Sequence, residues 1–301
     1  MAKKINAADV EFSTLSVSDD MGKVFIWDGR VFRAINKDSV DKVRNVFSCG
    51  MIDELVNNNL FPRSWITDYS MEGFGLVIEH EKLSTVTYPY EWSFSMLKEA
   101  AIAVLRINLI ARKYDYQTKD CHGFNIIFDG AYPKYVDLGS FIKTGEKFRG
   151  WLAYEEFLTS YYYPLHIWRK GNSYIARRIL SDVTLMPHGS YLLYKNPFYR
   201  LFSPTFLDKM SNYYHKFRCI YDMSPSEIRN RVPGFLGDMI VFLKNKRLLP
   251  FQPINLSSLL KKVQQISKKR YFTMWSEYHN EFYGEGGIIS TPRFDRVVDI
   301  I

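Results

Sequence analysis

The chain has 301 residues, 47% of them apolar, with 40 Lys and Arg against 32 Asp and Glu for a formal net charge of +8. This composition supports a large core and excludes a disordered chain. Three cysteines with no C-x-x-C pair argue against a disulfide framework or a zinc cluster.

From the N-terminus, "MAKKINAADVEF" has no apolar h-region, so no secretory signal is expected. "VEFSTLSV" (10–17) is rich in β-formers, and "SDDMG" (18–22) is loop chemistry. "KVFIWDGRVFRAI" (23–35) predicts a hairpin, because Asp28-Gly29 is a preferred dipeptide of the two-residue type I′ turn. The period then changes: Val40, Val43, Phe47 and Ile52 or Leu55 predict a helix over 38–58, with Asp38 or Ser39 as cap and Pro62 beyond the end. "WITDY" (65–69) and "FGLVIEH" (74–80) read as strands. A long helix is predicted over 90–114, with Leu97, Ala101, Val104 or Leu105, and Ile107 or Ala111 on one apolar face. Helical patterns recur over 151–168 and between 205 and 280. The basic stretch "LKKVQQISKKR" (260–270) reads first as a solvated helix face, with attraction to phosphates as the alternative, and specifies no nucleic-acid partner. No run reaches the ~18 apolar residues of a membrane span. The expected location is cytoplasmic, with peripheral association at the inner membrane left open.

The stretch "KDCHGFNIIFDGAYPKYVDLGS" (119–140) carries the chemistry. Asp120 precedes Asn125 by five residues, two strand-like runs follow, and the second ends in Asp137-Leu138-Gly139. Taken singly, these residues are cap and turn formers. Together they match what phosphoryl transfer requires: a carboxylate beside the attacking hydroxyl, and oxygen ligands that hold Mg²⁺ on ATP.

"D-C-H-G-F-N" followed by "V-D-L-G-S" resembles the catalytic loop and metal strand of the protein-kinase-like superfamily, nearest its aminoglycoside phosphotransferase and choline kinase branch. His122 matches the second His of that branch's H-x-D-x-H-x-x-N loop, and Thr118 stands where the first belongs. The resemblance implies a two-lobed α+β fold, with a mainly β N-lobe over 1–85, a helical C-lobe over 86–270 and a tail over 271–301. It implies Asp120 as base and Asn125 and Asp137 as Mg²⁺ ligands. Arg33 takes the place of the strand-three lysine with Glu54 as its ion-pair partner, and an adenine hinge falls near Glu79, His80 and Glu81. The loop "SDDMG" carries Asp19, Asp20 and the single Gly22 in place of the family's G-x-G-x-x-G cover.

A second likeness spans roughly 20–300. "TYPYEWSFSMLKEAA", "PKYVDLGSF", "GWLAYEEF" and "MWSEYHNEFY" are similar to the N-terminal half of bacterial proteins that carry a C-terminal SAM-dependent methyltransferase domain, some of them of nodulation or surface-polysaccharide type. In those proteins a helix like "TPRFDRVVDII" leads into the methyltransferase. The expected function is ATP-dependent phosphotransfer to a hydroxyl of a small molecule or saccharide, in cell-surface polysaccharide biosynthesis. The alternative is a catalytically inactive kinase-like module that binds a ligand or regulates a methyltransferase.

Overall fold

The computed structural model describes residues 3–14, 19–144, 150–181, 186–218, 220, 223–246, 248, 254–268, 283–284 and 287–288. It is a mixed structure of helix and sheet with a sheet-rich N-terminal part. That part contains β1 (Lys3–Ile5), β2 (Glu11–Phe12), β3 (Gly22–Trp27), β4 (Arg30–Ile35), α1 (Val40–Ser48), α2 (Met51–Asn57), β5 (Ser64–Ile66), β6 (Tyr69–Met71) and β7 (Leu76–His80). Five strands form an antiparallel sheet in the order β2-β3-β4-β7-β5. β1 pairs in parallel with β6, a pairing the sequence reading did not anticipate.

The β3–β4 hairpin turns where expected. Asp28 and Gly29 both adopt positive φ, 50° and 70°, as a type I′ turn demands. The helix expected over 38–58 is instead two helices. Gly50, at φ 85°, ends α1 in the left-handed conformation, and its carbonyl accepts from Glu54 N at 3.1 Å as α2 begins. At the start of β3, Gly22 lies against the neighbouring strand so closely that a Cβ there would sit 2.0 Å from the Ala34 carbonyl oxygen. Gly22→Ala is therefore expected to destabilise the fold by about 2 kcal/mol or more. Gly29→Ala meets no neighbour and carries only its backbone strain, about 1 kcal/mol. Urea denaturation of the two variants checks the ranking, and equal losses would refute the close approach.

α3 (Phe94–Ala111), capped by Ser93 accepting from Met96 N, runs through the centre of the core. Its burial is not confined to one face: Phe94, Leu97, Ala100, Ala101, Ala103, Val104, Leu105, Ile107, Asn108, Ile110 and Ala111 are all buried. The reason is packing on several sides, by α2 and by two elements that come later in the chain. The first is a hairpin of β9 (Ile126–Asp129) and β10 (Tyr132–Tyr135); just before it, β8 (Tyr116–Thr118) pairs with β11 (Phe141–Lys143).

Further helices follow: α4 (Tyr154–Phe157), a π-helical turn Leu158–Tyr162, α5 (Tyr163–Arg169), α6 (Ser173–Leu180), α7 (His188–Lys195), α8 (Pro204–Arg218), α9 (Pro225–Arg231), α10 (Phe235–Asn245) and α11 (Leu256–Gln264). α11 is the second element packed on α3. It keeps Lys261 and Lys262 exposed, which is the solvated-face reading of the basic stretch. Residues 1–267 form one compact unit and 268–301 another, in which β12 (Tyr283–Gly284) pairs with β13 (Gly287–Ile288). "TPRFDRVVDII" and most of "WSEYHNEFY" lie outside the described residues. Among the described residues, no helix is long and apolar enough to cross a membrane.

Candidate functional site

Asp120 lies between β8 and a 3-10 turn, Gly123–Asn125, that delivers Asn125 to the start of β9. Asp137 follows β10 and caps the turn Leu138–Ser140, its Oδ1 accepting from Gly139 N at 2.9 Å. Asn125 Nδ2 approaches Asp137 Oδ2 at 3.5 Å, and Val136 N donates to the Asn125 carbonyl at 2.9 Å. Asn125 and Asp137 are thus in contact. The Asp120 backbone is tied to the same segment: its N–H donates to Ser140 Oγ at 2.9 Å, and its carbonyl accepts from Tyr135 Oη at 2.8 Å and Ser140 Oγ at 3.0 Å. The Asp120 side chain is left half-exposed, with Lys119 Nζ at 3.8 Å.

Charge is concentrated behind these residues. Burial raises the pKa of Asp137; Arg33 opposes the shift, and the nearby carboxylates Asp19 and Asp120 add to it. Arg33, on β4, is not a solvated strand residue: its side chain is only 9% exposed, and Nε and Nη1 are buried without a hydrogen-bond partner. Its ion partner is Asp19 at 3.7 Å, from the loop expected to cover phosphates. Asp19 in turn accepts from Met21 N at 2.9 Å. Lys42, largely exposed on α1, brings its Nζ to 3.4 Å from the Gly139 carbonyl, and partial burial of that ammonium lowers its pKa. The residue types suit a hard divalent cation: a carboxylate and a carboxamide side by side, with charge on Asp137 that its surroundings disfavour.

The expected Arg33–Glu54 pair is not formed. Glu54, on α2, accepts from Lys113 Nζ and from Tyr114 Oη, and these hydrogen bonds, Lys113's first, lower its pKa. The break at Gly50 starts a separate helix whose buried residues are Met51, Ile52 and Leu55 and whose Glu54 meets the 3-10 turn Arg112–Tyr114 that follows α3. The side chains near the expected hinge are engaged in structure. Glu79 accepts from Arg30 Nε at 2.7 Å, Glu81 pairs with the buried Lys134 at 3.1 Å, and His80 Nδ1 lies 2.7 Å from Ser64 Oγ.

His80 Nε2 is buried without a partner, and burial, then the charge of Arg33, pushes the ring down to about 3. The folded protein therefore resists a proton that the unfolded chain takes up near pH 6.5. This group's contribution is present above that value and is lost as pH falls towards 3, at up to about 1.4 kcal/mol per pH unit. His80→Gln, which keeps a polar partner for Ser64, is expected to flatten the pH dependence of stability between pH 6 and 4. Urea melts of both proteins across that range test it, and parallel curves would refute it.

Several supporting residues were not anticipated. Thr118 is held by a buried network: its N–H donates to Asn108 Oδ1 at 3.0 Å, and its Oγ1 accepts from Asn108 Nδ2 at 3.0 Å and Trp151 Nε1 at 3.2 Å. The Cys121 N–H donates to Glu156 on α4. Asn108 was the available signal, since an amide in the middle of an otherwise apolar helix must find a partner. Gly123 also has a defined cause: a Cβ there would lie 2.6 Å from Pro89 Cγ and 3.3 Å from Trp92 Cη2.

No family model matches the chain. Over 177 residues, 52% of its length, it is 26% identical to the nodulation protein NoeA of Rhizobium meliloti (strain 1021). The chain spans 36% of that relative's length. Among solved structures it is similar to that of vaccinia related kinase 3, with a TM-score of 0.34 and 13% identity over 44% of this chain and 47% of that one.

Proposed function

We propose that the chain is a two-lobed, protein-kinase-like phosphotransferase that moves the γ-phosphoryl group of ATP to a hydroxyl of a small molecule or saccharide. The observation that carries this reading is Arg33: a buried guanidinium with two nitrogens that make no hydrogen bond, held only by a long ion pair to Asp19 and close enough to Asp137 to act on its charge. A buried cation with donors to spare calls for an anion, and a phosphate supplies both charge and acceptors. Asp120 accepts the proton of the attacking hydroxyl. Asn125 and Asp137 hold Mg²⁺, which when bound neutralises charge on the transferring phosphates. A role in polysaccharide biosynthesis and a methyltransferase partner rest on the family resemblance alone, and a cytoplasmic location rests on the sequence reading of the N-terminus and of the apolar runs.

A second reading has its own observation. Asp19 reaches Arg33 from the loop, so a carboxylate of this chain stands where a phosphate would. A nucleotide must displace it, and a module that never does so is catalytically silent. Thermal shift with ATP and ADP, with and without Mg²⁺, on wild type, Asp19→Asn and Arg33→Met separates the two. The expected result is stabilisation of wild type by nucleotide with Mg²⁺ beyond nucleotide alone, a larger shift for Asp19→Asn and a loss for Arg33→Met. Stabilisation confined to Asp19→Asn favours the silent module. No shift in any of the three at millimolar nucleotide overturns nucleotide binding altogether.

A further inference from the structure

Three large rings are exposed beside the loop that carries Asp120. Tyr88, Tyr90 and Phe124 are 38%, 43% and 41% exposed. Tyr88 and Tyr90 stack with centroids 5.6 Å apart and planes 13° apart, and Phe124 joins Tyr88 at 6.3 Å. His122 follows at 6.1 Å from Phe124, with Nδ1 buried and unpartnered. The cluster joins two segments distant in sequence. The tyrosines flank Pro89 in the 3-10 turn Pro89–Glu91, which Glu91 braces by accepting from Tyr88 N at 2.6 Å. Phe124 lies between Gly123 and Asn125, and Gly123 fits against Pro89 and Trp92 with no room for a side chain. The rings are therefore held to the catalytic loop by a tight backbone approach.

Aromatic rings left partly open to water on a braced surface suit a ligand with an apolar face of its own. An acceptor for Asp120 must also offer a hydroxyl. A pyranose ring has both, with axial C–H groups on one face and hydroxyls around the rim. We propose that Tyr88, Tyr90 and Phe124 form the seat for the acceptor and that the acceptor is a saccharide, one pyranose ring lying on the aromatic faces. The seat stands on these contacts; its role as acceptor site rests on the phosphotransferase reading above.

The test is saturation-transfer NMR on the full chain. The probes are methyl β-glucopyranoside, methyl β-galactopyranoside, methyl N-acetyl-β-glucosaminide, acyclic sorbitol and adenosine. At least one pyranoside is expected to receive transfer at its ring C–H protons above the level of sorbitol. Tyr90→Ala and Phe124→Ala should weaken its binding by about fivefold, and Tyr90→Phe should retain it. Thermal melting confirms that each variant folds; if Phe124→Ala does not, Tyr90→Ala carries the comparison. The proposal is overturned if no pyranoside exceeds sorbitol, if the alanine variants bind as wild type does, or if only adenosine depends on these rings. Nucleotide thermal shifts on the same samples keep the two readings apart. Nucleotide binding without sugar binding removes the seat and leaves phosphotransfer intact, whereas ring-dependent sugar binding without nucleotide binding does the reverse.

Discussion

Asp120→Asn is expected to reduce phosphate transfer by about 100-fold or more, with nucleotide binding nearly unchanged. In the proposed reaction the acceptor oxygen bonds to the γ-phosphorus and the bond to the β,γ-bridging oxygen breaks. The electron pair leaves with ADP, and the hydroxyl proton passes to the Asp120 carboxylate. Asparagine keeps the shape and cannot take that proton. The substitution also leaves the loop in place, because the bonds to Ser140 and Tyr135 are made by the Asp120 backbone, and its carboxylate is ion-paired with Lys119 at 3.8 Å. Release of ADP over a panel of hydroxyl acceptors, with nucleotide affinity measured separately, provides the readout. Equal turnover in wild type and variant would remove Asp120 from the chemistry.

Asp137→Asn is expected to act in two opposite directions. Nucleotide stabilisation that depends on Mg²⁺ should be lost, because an amide is a poor substitute for an anionic ligand of a hard cation. The ligand-free protein should nevertheless melt at a higher temperature at pH 7. Burial raises the Asp137 pKa in the folded state, so this carboxyl favours folding only below the ordinary carboxylate range and loses that contribution as pH rises through its folded value. At neutral pH its charge works against the fold, and asparagine removes the charge while keeping an oxygen for Gly139 N. Melts at pH 7, with and without nucleotide and Mg²⁺, measure both effects. A lower melting temperature for the ligand-free variant would show that the attraction of Arg33 outweighs burial.

The Asp28-Gly29 hairpin, β7 and the β9–β10 hairpin were legible because their signals are local: a turn dipeptide, a β-rich run, and a glycine at Gly130 with φ 60°. The loop residues Asn125 and Asp137 were legible through spacing across one hairpin. The partner of Arg33 was not. Ion pairing between a strand and a distant helix depends on where the helix breaks, and Gly50 turned Glu54 to Lys113 and Tyr114. Asp19 read as loop chemistry because nothing in "SDDMG" says the loop folds inward onto β4. The supports at Ser140, Glu156 and Asn108 pair residues 10 to 35 positions from their partners, beyond the reach of a periodicity argument.

Ser140 and Tyr135 fasten Asp120 to the strand and turn that also present Asp137. The two acids share one mount, and α3, α4 and α1 reach it through the neighbouring residues Thr118, Cys121 and Gly139, not through the acids' own side chains. A displacement of this mount carries both acids with it, so their spacing is insulated from repacking elsewhere. Substitutions that reshape the outer helices can then accumulate without retuning the distance between the two acids, whereas a change at Ser140 alone disturbs both at once.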